Sequence, residues 1–205
     1  MELTPTEHDY DPMILWRSNQ LVDDDLIDQV RDEIVEHKDS KSDSDKNLGM
    51  LHSTYFIREN KPDLKFLKIY QNIVGHIVGQ TGLHNSDTTF DYWTQVYNGS
   101  HCVHNHFACQ NIISFVHFIR PTDKKCFYFD LLGEKIYPKQ DKGDIIVFPS
   151  WAHHGVETSY GNERVTVAGN LMWSMIRNTD VNNTYVQQVT VVRKGLSIFE
   201  SFNKD

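Results

Sequence analysis

From residue 92 to residue 173 the chain is a succession of short apolar or alternating runs: 92–97, 101–106, 111–119, 125–130, 134–138, 144–148, 154–158 and 164–173. Turn formers separate them, at Asn98-Gly99, Pro121-Thr122-Asp123, Leu132-Gly133, Lys142-Gly143-Asp144 and Tyr160-Gly161-Asn162. A period of two puts every second side chain on one face, and breaks this frequent leave no space for a long helix. Short strands at this spacing predict a sandwich or jelly roll. An aromatic content of 12% suits a strand-rich core. Tyr185, Val189, Val191, Val192, Leu196 and Ile198 predict one further strand within 184–199.

The residues ahead of these runs follow a different rhythm. Residues 1–19 are polar and turn-rich around an apolar patch, Met13-Ile14-Leu15-Trp16, and predict an arm or a short edge strand. Leu26, Ile27, Val30, Ile34 and Val35 recur at helical spacing behind Asp23-Asp24-Asp25, an acidic start that suits a helix N-terminus. A second helix is predicted over 62–79, with Gly82 as its terminator. Between the helices, residues 38–48 form a mixed-charge, serine-rich loop that reads as a connection, with a mobile lid as the other reading. With no internal repeat and no linker, the chain is expected to form a single domain over 1–205. Residues 1–89 would supply the arm and supporting helices, 90–173 the β core and 174–205 a C-terminal extension.

Charge and cysteine content narrow the function. The chain of 205 residues carries 28 acidic and 20 basic residues, a net charge of −8. An acidic surface gains little from a phosphate backbone, so duplex nucleic acid is disfavoured as a partner. Hydrophobic content of 39% and charged content of 23% are those of a folded globular chain. The three cysteines, Cys102, Cys109 and Cys126, are too few and odd in number for a disulfide framework. Buried reduced thiols and a cytoplasmic location are therefore expected. The opening Met-Glu-Leu-Thr-Pro-Thr-Glu-His-Asp has neither the basic region nor the apolar run of a secretory leader. No stretch is long and apolar enough to span a membrane.

The chemistry concentrates in the strand region. His104 and His106 stand two apart in one run, so they point to the same side. His101 faces the other way by the same alternation and is given a structural role. About fifty residues later come His153 and His154, of which only one can face a pocket, and Arg164 follows ten residues after His154. Three imidazoles can hold a divalent transition metal and leave positions open, and an arginine can grip a carboxylate through a bidentate fork. The combination points to a mononuclear iron site with an organic-acid cosubstrate. The bland alternatives are that Phe148-Pro149-Ser150-Trp151 is a core aromatic turn with rim histidines, and that Arg164 forms a strand-edge salt bridge with Glu163 or Asp144. An inward arginine in an apolar strand needs a partner, and the Thr166 hydroxyl lies on the same face.

These residues resemble the 2-oxoglutarate- and Fe(II)-dependent dioxygenase superfamily, in particular its small phage and bacterial members. The matching positions are Trp93, Tyr97, Gly99, His104, His106, Gly143, Asp144, Phe148, Pro149, Ser150, Trp151, His154, Gly155, Val156, Glu163, Arg164 and Asn170, within residues 90–172. The resemblance implies a mainly β double-stranded β-helix (jelly roll, cupin-like) with flanking helices. It implies iron held by His104 and His154, His153 being the fallback for the latter. It also implies that Arg164, helped by Thr166, holds the distal carboxylate of 2-oxoglutarate, with Tyr97 and Gln95 as further cosubstrate contacts. The sequence departs from the superfamily at His106, where most members carry Asp or Glu. If His106 binds, the ligand set is three neutral histidines, and the dianionic cosubstrate must balance more of the metal's charge.

The expected function is hydroxylation of a small-molecule or peptide substrate by O2, with release of succinate and CO2. Halogenation ranks below it, because a histidine at 106 leaves no room for halide. The competing function is a cupin-type three-histidine metalloprotein acting without 2-oxoglutarate. A cupin has no general need for Arg164, so that residue discriminates between the two. A third reading is a non-catalytic barrel that takes up no metal.

Overall fold

The computed structural model describes residues 4–5, 13–41, 50–81, 88–98, 105–106, 111–157 and 163–173. Its strands are β1 (Thr4–Pro5), β2 (Trp16–Asn19), β3 (Met50–Ser53), β4 (Thr88–Asn98), β5 (Asn105–His106), β6 (Ile113–Arg120), β7 (Phe127–Leu131), β8 (Glu134–Ile136), β9 (Asp144–Pro149), β10 (His154–Val156) and β11 (Arg164–Trp173). The helices are α1 (Asp24–Glu36) and α2 (Leu67–Thr81). The predicted strand at 184–199 lies outside the described residues.

The strands form two antiparallel sheets. The larger has seven strands in the order β1-β2-β9-β6-β11-β4-β3, the smaller four in the order β5-β10-β7-β8. From β4 onward the chain steps between them: β4, β6, β9 and β11 lie in the larger sheet, and β5, the β7–β8 hairpin and β10 in the smaller. A chain that steps back and forth between two facing sheets winds as a double-stranded β-helix, the form of jelly roll that the resemblance implied.

Period-two alternation on the larger sheet sends its side chains to two separate cores. Val96, Phe115, Val147, Val165 and Val167 pack on the helices, against Ile27, Val30, Ile34, Tyr70, Ile73 and Ile77. Val116, Phe118, Ile146 and Phe148 point the other way and meet Phe127 and Phe129 of the smaller sheet. The helices thus stiffen one face while the other lines the interior of the jelly roll. No described helix is long and apolar enough to cross a membrane.

The helix signals held with one shift. Asp23 caps α1, its carboxylate accepting from the Asp25 and Leu26 amides. The segment predicted as helix from residue 62 opens instead as a tight 3₁₀ turn, Pro62–Phe66, and becomes α-helical only at Leu67. Its Asp63 does not cap the helix, because it is drawn inward to accept from the Thr94 amide. Of residues 1–19, Thr4–Pro5 forms the short edge strand of the larger sheet, while Trp16–Asn19 lies inside it between β1 and β9. Of the 38–48 loop, Lys38–Ser40 is a 3₁₀ turn and Lys41 bridges to His52, while 42–49 lies outside the described residues. The Ser40 hydroxyl donates to the His37 carbonyl and meets His52 Nδ1 at 3.0 Å, so this end of the loop is tied down.

One buried polar link joins the helical layer to the sheet. The Gln20 carbonyl can only accept, so the His117 Nε2 beside it at 2.8 Å carries the proton. Nδ1 then accepts from the Tyr70 hydroxyl at 2.9 Å. Both imidazole nitrogens are satisfied in the neutral state, and burial pushes the His117 pKa down from 6.5 to about 4. A depressed folded-state pKa means that the stability contribution is fully present above about pH 6.5 and is lost as pH falls through about 4. In an NMR titration the His117 ring should stay unprotonated down to about pH 4, with the urea midpoint falling across the same interval. A ring that titrates at its ordinary value would refute the assignment.

The β7–β8 hairpin closes through Leu132-Gly133, both at positive φ (54° and 89°). That two-residue turn favours Asn-Gly, and Leu132 is fully exposed there, so its side chain gains nothing from burial. Leu132→Asn should stabilise the protein by about 1 kcal/mol. In a thermal melt the midpoint should rise by about 2–4 °C.

Candidate active site

A cleft enclosing about 460 Å³, open space at its mouth included, lies between the sheets. Its larger wall is built from two neighbouring strands. β4 and β11 pair with Arg164 opposite Tyr97, Thr166 opposite Gln95 and Ala168 opposite Trp93. All six side chains line the cleft, because positions two apart on a strand share a face. β6 adds Val116 and Phe118, β7 adds Phe127, and β10 adds His154 and Val156. Tyr97, Gln95, Arg164 and Thr166, all singled out in the sequence, are thus brought together on one wall.

Arg164 is the most demanding residue in the cleft. It is only 4% exposed, and its guanidinium carbon lies 3.9 Å from the centre of the Tyr97 ring. Stacking on an aromatic face satisfies the charge in part but none of the N–H groups. Nε and Nη2 are buried without a hydrogen-bond partner among the described residues. The strand-edge salt bridge considered above does not form. Glu163 turns to Arg31, whose Nη2 it meets at 2.6 Å, and Asp144 accepts from Asn19 at 2.8 Å. A desolvated guanidinium with an open N–H edge calls for an anion, and a planar carboxylate matches that edge. The Tyr97 hydroxyl donates to Gln95 Oε1 at 3.0 Å, which fixes both side chains beside the arginine.

His154 enters from the smaller sheet. Its ring stacks on Phe127 (centroids 5.6 Å apart) and meets Phe148 edge-on at 5.1 Å. Nδ1 lies 2.8 Å from the Ala152 carbonyl. A carbonyl only accepts, so Nδ1 carries the hydrogen and Nε2 is the nitrogen with the lone pair, as a metal ligand requires. His153 is exposed, and its carbonyl accepts from the Asp130 amide. His104 and His101 lie outside the described residues. The His106 backbone is described, and β5–β10 pairing sets its Cα opposite that of His154. Among the described residues no three His, Cys, Asp or Glu side chains converge as a metal cluster.

The turn that delivers His154 rests on a network the sequence did not disclose. The Ser114 hydroxyl donates to Asn170 Oδ1 at 2.7 Å and lies 2.9 Å from the Ser150 hydroxyl. These bonds tie the end of β9 to β6 and β11 where the chain leaves the larger sheet for the smaller. Ser150 and Asn170 stood among the positions of the family resemblance, but the third member was signalled only by a serine inside the apolar run Ile112-Ile113-Ser114-Phe115-Val116. The alternative of a core aromatic turn holds for the buried Phe148 and not for Trp151, which stands 65% exposed. Cys102 and Cys109 lie outside the described residues, and Cys126 is buried as expected.

No protein-family profile and no curated protein sequence matches the chain. Solved structures do match in fold. A prolyl-4-hydroxylase from Pseudomonas putida is 16% identical, covers 77% of this chain and 92% of its own, and superposes with a TM-score of 0.52. The non-haem α-ketoglutarate-dependent epimerase SnoN of nogalamycin biosynthesis is 9% identical over 82% of this chain and 85% of its own, with a TM-score of 0.56. A prolyl hydroxylase from Trichoplax adhaerens, in complex with a hypoxia-inducible-factor oxygen degradation domain peptide, is 11% identical over 81% and 86%, with a TM-score of 0.56. The protein therefore has the double-stranded β-helix fold of the 2-oxoglutarate- and Fe(II)-dependent oxygenases.

Ser114→Ala leaves Asn170 Oδ1 without its donor in a buried site. The expected loss is about 1–3 kcal/mol, read from urea unfolding. A loss below about 0.5 kcal/mol, within the spread for neutral surface substitutions, would show that the network does not hold the turn.

Proposed function

We propose that this protein is an Fe(II)- and 2-oxoglutarate-dependent oxygenase that hydroxylates a C–H bond of its substrate. One observation carries the reading: Arg164 is buried, stacked on Tyr97, and keeps Nε and Nη2 without a hydrogen-bond partner among the described residues. The donor chemistry fits both groups. Arg164 would take the distal carboxylate of 2-oxoglutarate, with Thr166 beside it and Tyr97 and Gln95 along the same wall. His154, protonated at Nδ1, offers Nε2 to the metal, and His104 and His106 would complete the set. Fe(II) with 2-oxoglutarate supplies the activation of O2, one oxygen atom going into succinate as CO2 leaves and the other into the substrate C–H bond.

The chain's own residues bind, orient and exclude water. Val116, Phe118, Phe127, Val156 and Ala168 keep the cleft apolar, which strengthens the pairing of Arg164 with a carboxylate. Three imidazoles bring no negative charge to the metal, so cosubstrate binding should tighten metal retention. A small molecule or a peptide can serve as substrate on this fold; the Trichoplax neighbour is a complex with a peptide.

Anaerobic visible absorption tests the reading. Adding Fe(II) and then 2-oxoglutarate should raise a charge-transfer band that needs both. Arg164→Ala should weaken 2-oxoglutarate by on the order of a hundredfold or more, since it removes a buried charge partner. Iron bound without any 2-oxoglutarate-dependent band would sink the proposal and favour a cupin-type protein that works without the cosubstrate.

A further inference from the structure

Beyond Arg164 the described wall of the cleft carries no charge, and its other end is aromatic. Trp93 is four residues from Tyr97 on β4, about 13 Å along the strand, too far for Arg164 to pair with anything held there. Trp93 is half-buried and lines the cleft, and Tyr55 stands against it with ring centroids 5.4 Å apart and planes at 68°. Tyr55 is 48% exposed.

An exposed tyrosine is ordinary, but this one is fixed from below. The turn after β3 runs along the open edge of β4, with the Thr54 amide donating to the Thr94 carbonyl at 3.1 Å. The buried Thr54 hydroxyl donates to Asp63, and the Thr94 amide reaches Thr54 Oγ1 at 2.9 Å and Asp63 Oδ2 at 3.2 Å. The Tyr55 amide itself donates to Ser53 Oγ at 3.1 Å, and Ile57, fully buried, closes the turn onto the Thr54 carbonyl. A polar network buried on the helix side therefore holds an exposed ring against the indole of the cleft. Burial of Tyr55 does not explain this, because half of it stays in solvent.

We propose that Trp93 and Tyr55 form a substrate-positioning wall for an uncharged, apolar carbon skeleton, a ring or chain presenting C–H groups to the two aromatic faces. Val116 and Ala168, level with Trp93 across the sheet, complete a surface on which an anionic group would lose its hydration with no counter-charge to replace it. Zwitterionic amino acids and phosphate-bearing molecules are disfavoured at this end of the cleft. The proposal rests on the oxygenase reading only in calling the bound molecule a substrate.

Saturation-transfer NMR on the full chain tests it with cyclohexanol as the neutral probe and cyclohexyl phosphate, read in Arg164→Ala so that the arginine cannot hold it, as its anionic counterpart. Cyclohexanol should receive saturation, and Tyr55→Ala and Trp93→Ala should each weaken it about tenfold. Tyr55→Phe should restore wild-type affinity, since the ring and not the hydroxyl makes the wall. Thermal melts of the variants separate misfolding from lost contact, and Tyr55→Ala, at an exposed site, keeps the test alive if Trp93→Ala fails to fold. The proposal is overturned if cyclohexyl phosphate binds Arg164→Ala as tightly as cyclohexanol does, if Tyr55→Ala matches wild type, or if no transfer occurs. Calorimetric titration of 2-oxoglutarate into the Fe(II)-loaded protein reads the other hypothesis separately. Probe binding without cosubstrate binding would sink the cosubstrate assignment alone, and the reverse would sink the aromatic wall alone.

Discussion

The pairing of β4 with β11 is the constraint on which everything else in this protein depends. The two strands stay in register over ten successive residues, from Arg164 opposite Tyr97 to Trp173 opposite Thr88. A slip of one residue would turn Arg164, Thr166 and Ala168 into the helix-side core and Val165 and Val167 into the cleft. Two features of β11 allow the pairing to seat against β6. A register shift between Val165 and Val167 accommodates an extra residue of β6. Gly169 lets the strand lie close: a Cβ there would come within 2.4 Å of the Phe115 ring and 2.5 Å of the Asp91 carbonyl.

That frame makes an electrostatic arrangement possible. Neighbouring residues on a strand face opposite ways, so Glu163 and Arg164 part company at the start of β11. Glu163 goes outward to Arg31 of α1, whose guanidinium it holds in its charged form, and Arg164 goes inward. The nearest carboxylate in sequence is thereby occupied 132 residues away. An arginine buried with no anion among the described residues is expensive, and an anionic ligand, as proposed above, would offset that cost. The stacking on Tyr97 and the link from Tyr97 to Gln95 pre-orient the guanidinium, so a ligand need not order it on binding.

Much of this was legible in the chain itself. The run 164–173 has the boundaries of β11, the Asp23 cap starts α1 where expected, and the common face of Arg164 and Thr166 follows from alternation alone. Other elements carried no local signal. Met50–Ser53 is too short to show a period and becomes a strand because β4 offers it an open edge. Asp63 looked like part of a helix start and became a buried anchor, because Thr54 and Thr94, distant in sequence, lie beside it. Tyr55 sits in a stretch with no periodicity, and its place against Trp93 exists only once that anchor is set.

The sequence by itself determined the alternation of short strands, the two amphipathic helices and the residue types that a metal and a carboxylate would need. These are properties of spacing within a few positions, where covalent geometry fixes which side chains share a face. The tertiary structure decided which of the adjacent His153 and His154 turns inward, through the turn in which Ser150, Ser114 and Asn170 meet. It also decided that the adjacent Glu163 pairs with the distant Arg31 rather than with Arg164. Both outcomes depend on partners separated by tens to more than a hundred residues, and no local pattern encodes which of several acceptable partners a buried polar group will find.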